Sequence, residues 1–167
     1  MRILGIDPGT ARLGYGVIDA DDDYVAVAFG TLETGASDAM ADRLLQIHIA
    51  LANLIGQTDP DVVVIEQLFF SRNVTTAIAV GQARGVAMLA AAQAGLAVVE
   101  YTPAEIKQAI SGYGNADKHQ VQAMVKILLA LDEAPKPDDA ADALAIALCH
   151  GQSAGFRDKV EQVHGQG

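Results

Sequence analysis

The chain has 167 residues, of which 51% are apolar and 5% aromatic. This length accommodates one compact α/β domain with an aliphatic core and excludes a second catalytic domain. The formal net charge of −10 argues against nucleic acid as a partner, because non-specific binding to phosphates comes mainly from Lys and Arg.

The distribution of charge weakens this objection. Residues 67–126 contain five bases and three acids, whereas residues 1–66 contain three bases and eleven acids. The bases of the middle segment form either a local basic surface or an ordinary solvated one. They are Arg72, Arg84, Lys107, Lys118 and Lys126.

Two features of the sequence bear on the location of the protein in the cell. The single cysteine, Cys149, cannot form a disulfide within the chain, which favours a reducing compartment. No apolar run reaches the roughly 18 to 20 residues that a membrane span requires, and the start, MRILGIDPG, reaches a charge and a helix breaker too early for a signal peptide. We therefore expect a cytoplasmic protein that does not interact with membranes.

The first part of the chain predicts strands followed by a helix and another strand. Residues 3–7, 14–19 and 24–31 are short, β-rich runs separated by turn-forming residues, as in a three-stranded antiparallel meander. Apolar residues recur at steps of three and four over 42–55, which predicts an amphipathic helix. Residues 61–66 form a continuous apolar run, typical of a parallel strand that is buried on both faces.

The second part of the chain predicts one more strand, at residues 96–101, and four helices. The predicted helices cover residues 75–94, 104–111, 117–131 and 139–150, and an Asp suited to capping opens each of the last two. This order of elements predicts an α/β fold with a mixed sheet flanked by helices.

Two further patterns concern the helix at 75–94 and the end of the chain. Gly81 and Gly85 lie four residues apart, so one face of that helix is nearly flat and packs either on the sheet or on a partner. After Gly151 the sequence becomes polar. We therefore expect one domain over residues 1–151 and a polar, flexible tail over residues 152–167.

Asp7 and Glu66 are the first candidates for functional residues. Asp7 ends the first predicted strand before a Pro-Gly turn, and Glu66 ends the fourth strand after four aliphatic residues. An acid that closes a buried strand is costly unless it is paired or binds a metal. A helix cap or an ion pair is the alternative role for each.

A second pair of acids opens the helix predicted at 139–150. Asp139 and Asp142 lie three residues apart and therefore share one face of that helix. Two like charges at this spacing are tolerated in a solvated first turn and are useful where a divalent cation binds. The pair by itself is also compatible with simple capping. Asp138 points to another side, and we assign it to the cap.

The four acids together predict a type of metal and a type of reaction. Carboxylates without a cluster of Cys or His at zinc spacing suit Mg²⁺ or Mn²⁺ and not Zn²⁺. Two such ions about 4 Å apart can hold the attacking and leaving oxygens of an in-line phosphoryl displacement. The acids therefore predict metal-dependent hydrolysis of a phosphodiester.

The segment QLFFSRN follows Glu66 and predicts contact with nucleic acid. Phe69 or Phe70 can stack on an unpaired base, a contact that contributes about 1 to 3 kcal/mol per base, while Arg72 binds phosphate. Packing of either phenylalanine onto the next helix is the alternative.

Two lysines are candidates for contact with the scissile phosphate. Lys107 lies in AEIKQA, and Lys118 follows the glycine-containing loop GYGNAD. Both are also compatible with the ordinary surface of a helix. The position of Lys118 directly after a loop favours it for the phosphate.

Four motifs, taken together, resemble the RuvC family of Holliday junction resolvases over nearly the whole chain. They are GIDPGTARLGYGVID, VVVIEQLFF, GQARGVA and DAADALAIA, and they occur in this order. The resemblance implies a ribonuclease H-like fold with a five-stranded sheet. It implies four catalytic and metal-binding acids at Asp7, Glu66, Asp139 and Asp142, a wedge phenylalanine at Phe69, and active-site lysines at Lys107 and Lys118.

The resemblance also implies how the protein acts. Two subunits would pair through helices, including the segment of Gly81 and Gly85, and nick a four-way DNA junction symmetrically during recombination and repair. Each active site would use two Mg²⁺ or Mn²⁺ ions and leave 5′-phosphate and 3′-hydroxyl ends. A branch-migration complex of RuvA and RuvB would be the partner.

Three alternatives remain for the function. GIDPGTARLG is also similar to the first phosphate loop of sugar kinases and actin-like ATPases, although such enzymes need a second lobe that 167 residues do not provide. A related nuclease would cut another branched or gapped DNA with the same metal site. A catalytically silent DNA-binding module would keep the fold, but the presence of all four acids argues against it.

Overall fold

The structure is a computed structural model that describes residues 1–67 and 74–164. Its centre is a five-stranded mixed sheet with the strand order β3-β2-β1-β4-β5. Strands β1, β2 and β3 are antiparallel neighbours, whereas β4 runs parallel to β1 and β5 runs parallel to β4. The strands are β1 (Arg2–Asp7), β2 (Arg12–Ala20), β3 (Tyr24–Glu33), β4 (Val62–Glu66) and β5 (Ala97–Tyr101). The predicted meander and mixed sheet are confirmed.

Five helices flank the sheet: α1 (Met40–Thr58), α2 (Val74–Gln93), α3 (Pro103–Ser111), α4 (Lys118–Leu128) and α5 (Asp138–His164). Capping boxes fix the starts of α3 and α4, formed by Thr102 with Glu105 and by Asp117 with Gln120. Among the helices whose residues are described, none is long and apolar enough to cross a membrane.

The end of α5 differs from the prediction. The helix continues to His164, whereas the sequence predicted an end at His150 and a flexible tail from residue 152. The segment QSAGFRDKVEQVH is polar, but most of its residues are compatible with a helix, so polarity alone did not mark a helix end. The division of the chain at residue 151 stays a prediction.

Each face of the sheet carries its own hydrophobic core. Strand residues alternate between the faces, so that Val62 and Val64 of β4 pack with α3, α4 and α5, and Val63 and Ile65 pack with α1 and α2. The fully apolar sequence of β4 is explained by this burial on both sides.

Close approach between α5 and the sheet depends on glycines of β1 and β2. A Cβ atom at Gly5 would overlap the backbone of Ala143, one at Gly14 would overlap the carbonyl oxygen of Asp139, and one at Gly16 would lie 2.8 Å from the Leu144 backbone nitrogen. These positions have no space for a side chain. The glycines therefore determine how closely the first turns of α5 pack against the sheet.

The sequence left open whether the glycine-containing face of α2 packs on the sheet or on a partner, and the structure shows how this helix is oriented. Ala83, Ala87 and Ala91 are essentially inaccessible to solvent and pack in the core formed with α1 and the sheet. Gly85 is exposed, and a Cβ atom added there would meet nothing within 4 Å. The face that carries Gly85 is thus turned away from the sheet.

Candidate active site

Asp7 and Glu66 lie together at one edge of the sheet. Strands β1 and β4 are parallel neighbours with Ile6 opposite Ile65, so the residues that follow this pair share an edge. Both acids line a cavity of about 250 Å³. Its other charged lining residues are Asp142, Lys107 and Lys118.

The position of Asp142 and Lys118 results from the starts of two helices. Asp142 lies in the second turn of α5, above the glycines of β1 and β2, and Lys118 is the first residue of α4 after its capping residue Asp117. The Lys118 Nζ lies 3.0 Å from Asp142 Oδ2 and 3.4 Å from Asp138 Oδ2. Lys118 therefore bridges two carboxylates of α5.

The cavity raises the pKa values of its acids. The pKa of Asp7 is raised to about 7, first by burial and then by the charges of Asp142, Glu66 and Asp139, against the opposing effect of Lys118. Burial also raises the pKa values of Glu66 and Asp142, and in each case its effect is larger than that of the neighbouring charges. The cavity concentrates more negative charge than its two lysines neutralise.

Asp139 lies beside this group and not within the lining of the cavity. Its Oδ2 is 3.5 Å from Arg12 Nη1, and it is close enough to contribute to the raised pKa of Asp7. The structure thus brings Asp7, Glu66 and Asp142 around one cavity and places Asp139 at its margin.

Comparison with known proteins identifies the family. The family model for "Crossover junction endodeoxyribonuclease RuvC" matches residues 3–150. The chain belongs to this family. A relative from Thermomicrobium roseum, named crossover junction endodeoxyribonuclease RuvC, is 54% identical over 152 residues, which cover 91% of this chain and 93% of the relative.

Solved structures agree with this assignment. The Thermus thermophilus RuvC in complex with a Holliday junction substrate is 37% identical, with a TM-score of 0.88 over 92% of this chain and 94% of that one. A yeast mitochondrial Holliday junction resolvase, 15% identical, shares the fold with a TM-score of 0.67 over 96% of this chain and 85% of its own. The predicted ribonuclease H-like fold is confirmed, and the chain is a nuclease and not a sugar-kinase-like ATPase.

The donor set of the cavity fits the divalent metal on which a nuclease of this family depends. Three carboxylates, partly buried and insufficiently neutralised, are the hard oxygen ligands that Mg²⁺ and Mn²⁺ prefer. Within residues 1–67 and 74–164, no group of three or more acidic, His or Cys side chains is arranged to hold an ion by itself.

Phe69, Phe70 and Arg72 lie outside the described residues. Asp138, assigned to the cap, is instead the first residue of α5, and its carboxylate approaches Lys118.

The sequence left open whether the bases of residues 67–126 form one basic surface, and the four that the structure describes do not lie together. Arg84 forms an ion pair with Glu100 of β5. Lys126 lies eight residues beyond Lys118 on α4, about 12 Å along the helix axis. Only Lys107 and Lys118, of the bases that the structure describes in this segment, line the cavity.

Two bases that the sequence analysis missed lie next to the site. Arg12 and Lys136 line a neighbouring cavity together with Lys118. A signal for Arg12 was present, because the hairpin that follows Asp7 returns the chain to the same edge of the sheet, where Gly14 pairs with Asp7. Lys136 precedes Asp138 by two residues, and it lies next to the site because the start of α5 lies there.

Proposed function

We propose that the chain is a Holliday junction resolvase that makes paired, symmetric nicks in four-way DNA junctions. The observation that carries the proposal is the cavity in which Asp7, Glu66 and Asp142 meet Lys107 and Lys118 at the edge of a ribonuclease H-like sheet. Carboxylates for a metal and cations for a phosphate are the groups that hydrolysis of a phosphodiester requires.

In this proposal the four acids hold two Mg²⁺ or Mn²⁺ ions per active site. Asp7, Glu66 and Asp142 would supply ligands from the lining of the cavity, and Asp139 would add one from its margin. When bound, the metal activates a water and withdraws charge from the phosphate. The products are a 5′-phosphate and a 3′-hydroxyl.

The lysines act on the substrate strand. Lys118 stabilises the negative charge that develops on the phosphate oxygens, a role that a fixed cation performs without titrating. The α5 carboxylates of Asp138 and Asp142 raise the pKa of the Lys118 ammonium against the opposing effect of burial, so Lys118 stays protonated. Lys107, which also lines the cavity, orients the strand, and Phe69, Phe70 and Arg72 contact the DNA at the junction.

We further propose a homodimer that forms through the outer face of α2. Ile78, Gly85 and Leu89 share this face because they are spaced by seven and four residues. Ile78 is 57% exposed and Leu89 is 51% exposed, so the face presents an apolar stripe with an open glycine between two large side chains. Pairing there would give two active sites for the two strands of a junction.

The remaining parts of the proposal concern the setting of the reaction. The protein acts in the cytoplasm with a branch-migration complex of RuvA and RuvB, and residues 1–151 are the nuclease domain. The sequence pattern and the family membership support these statements.

A panel of DNA substrates separates the resolvase from a nuclease for other branched DNA. The protein is incubated with labelled four-way junctions, flaps, gapped duplexes and matched linear duplexes, in Mg²⁺, in Mn²⁺ and in chelator. The proposal expects metal-dependent cutting of the four-way junction at least about tenfold faster than of the other substrates. Equal cutting rates on flaps or gapped duplexes would show that the protein is a nuclease for other branched DNA and not a resolvase.

A further inference from the structure

A second cavity adjoins the active site at the start of α5. It has a volume of about 680 Å³, and its charged lining residues are Arg12, Lys118, Lys136, Asp138 and Asp139. Lys118 lines both cavities, which therefore meet at this side chain. A DNA strand that placed one phosphate at the carboxylates of the first cavity and continued past Lys118 would enter the second.

Arg12 is held in place without using all of its donors. It is the first residue of β2 and 47% exposed. Its Nε donates a hydrogen bond to Glu33 Oε1 at 3.0 Å, while its Nη1 lies 3.5 Å from Asp139 Oδ2, beyond the usual length of a hydrogen bond. The guanidinium is thus oriented by Glu33 and keeps its Nη donors for a phosphate, which Arg binds in a bidentate manner.

Lys136 supplies a second cation to the same cavity. Its side chain is exposed, and no ion pair of its ammonium occurs among the described residues. Proline at positions 135 and 137 restricts the backbone on both sides, and Pro135 is buried. A lysine held at this place binds an anion without first giving up another partner.

The charge of this cavity contrasts with that of the chain. The whole chain carries a formal charge of −10, yet the cavity brings together three bases and two acids. Asp138 is already paired with Lys118. Arg12 is paired with Glu33 and lies beside Asp139, so the lining base without an ion pair among the described residues is Lys136, at the margin of the active site.

We propose that Arg12 and Lys136 form a second phosphate-binding site, which holds the backbone phosphate next to the scissile one on the same DNA strand. The proposal rests on the nuclease function proposed above and adds two positioning residues to it. Contacts to the DNA backbone fix the register of a strand without reading its sequence. The two side chains therefore determine where the strand lies across the acids.

Salt dependence of binding tests this site. The affinity for a synthetic four-way junction is measured between low and moderate salt in a cutting-deficient Asp7→Asn background, with Arg12→Ala, Lys136→Ala or both added. Each substitution is expected to weaken binding about three- to tenfold at low salt and to reduce the slope of log K against log salt by about one. Lys136→Ala is the decisive variant, because Lys136 is exposed and touches none of the four acids.

Lys126→Ala is the matched control. Its neighbours Ile127 and Leu128 line a cavity with Asp22 and Asp23 of the hairpin between β2 and β3, at the other end of the sheet from Asp7. Removal of this lysine is expected to leave the affinity and the salt slope unchanged. A loss as large as that of Lys136→Ala would show a general charge effect and overturn the local site.

Neutral linkages in the DNA locate the contact. Methylphosphonates replace single phosphates around the cut site, and binding is compared between the Asp7→Asn protein with and without Arg12→Ala and Lys136→Ala. A methylphosphonate at the phosphate next to the scissile one and the protein substitutions are each expected to weaken binding. Combining them is expected to weaken binding no further, because both changes remove the same interaction. Additive losses at every position would overturn the proposal.

The outcomes separate this inference from the proposed function. If the unmodified protein binds and cuts junctions while Lys136→Ala keeps the affinity and salt slope of its parent, the second phosphate site is wrong and the resolvase stands. If the unmodified protein neither binds nor cuts junctions, the proposed function fails, and the second site fails with it.

Discussion

Asp7 combines partial burial with three acidic neighbours, which is why its carboxyl pKa reaches about 7. A protein rarely keeps such a group for stability, since separating these charges would relieve the repulsion between them. Its position at the end of β1, in the cavity that also holds Glu66 and Asp142, explains the arrangement if a cation binds there.

Asp7→Asn is expected to reduce junction cleavage by more than about 100-fold and to leave junction binding within about threefold of the wild type. The change removes a charged metal ligand and almost no volume. Gel-shift binding and single-turnover cleavage measure the two effects. Asp22→Asn, on the exposed hairpin after β2, is the control, and cleavage retained by Asp7→Asn would show that the site is misassigned.

The raised pKa of Asp7 also predicts how stability depends on pH. The folded protein binds a proton that the unfolded chain releases between its ordinary pKa of 3.8 and about 7, so this group's contribution to stability falls as pH rises through that window. In chelator, Asp7→Asn is therefore expected to be more stable than the wild type above about pH 7, by on the order of 1 to 3 kcal/mol. Below about pH 4 the difference disappears.

Urea unfolding at several pH values measures this effect. A difference between the two proteins that stays constant with pH would contradict the assigned electrostatic origin. Addition of Mn²⁺ at about pH 8 should reverse the order, because the metal stabilises the wild-type carboxylate and not the amide.

The sequence singled out the four acids but did not indicate their contacts with other charged residues. Asp7 and Glu66 were identifiable because a charged residue at the end of an apolar strand is unusual. The contacts of Asp139 with Arg12 and of Asp138 with Lys118 depend on how α5 and α4 meet the sheet, which no local pattern specifies.

At the level of the elements, the contact of α5 with β1 and β2 positions two of the four acids. Gly14→Ala is expected to destabilise the protein by about 1 to 3 kcal/mol, because the new Cβ would overlap the carbonyl oxygen of Asp139. It is also expected to reduce cleavage by more than the loss of folded protein explains, since the start of α5 must shift. Thermal melts and cleavage rates at a temperature where the variant is folded measure both effects.

Gly56→Ala provides the matched control for this variant. A Cβ atom at Gly56 meets nothing within 4 Å, and the residue lies near the end of α1. This substitution is expected to keep activity and to raise stability by up to about 1 kcal/mol through helix propensity. Normal cleavage by Gly14→Ala would mean that activity does not depend on the close packing of α5 against the sheet.

Strands and helices were predicted more reliably than their ends. Sequence patterns indicated every strand and helix of the described residues: β-rich or apolar runs marked the strands, and apolar spacing, alanine content or a capping Asp marked most of the helices. The end of α5 was missed because helix-compatible polar residues resemble a tail when their packing partners are unknown. The second cavity was missed because Arg12 and Lys136 lie 124 positions apart in the sequence.

At the level of the whole molecule, the outer face of α2 is the proposed dimer surface. Ile78→Glu is expected to shift the protein toward a monomer, because it places a charge in the apolar stripe with Gly85 and Leu89. Light scattering after size-exclusion chromatography measures the mass. Ile127→Glu is the control, since Ile127 is 67% exposed and lies on α4.

The monomeric form would also separate the two cuts. Each subunit keeps its own acids, so slow single nicks are expected to remain while paired nicks are lost. A dimeric Ile78→Glu protein, or equal dissociation by Ile127→Glu, would move the interface away from this face of α2.

Mapping the cuts on a four-way junction at nucleotide resolution tests the central claim most directly. Each strand of a synthetic junction is end-labelled in turn and incubated with the protein in Mg²⁺, Mn²⁺ or chelator. We expect two nicks at symmetric positions on opposing strands, with 5′-phosphate and 3′-hydroxyl ends, and none in chelator or with Asp7→Asn. Cuts at unrelated positions, or cutting that persists in chelator, would contradict it.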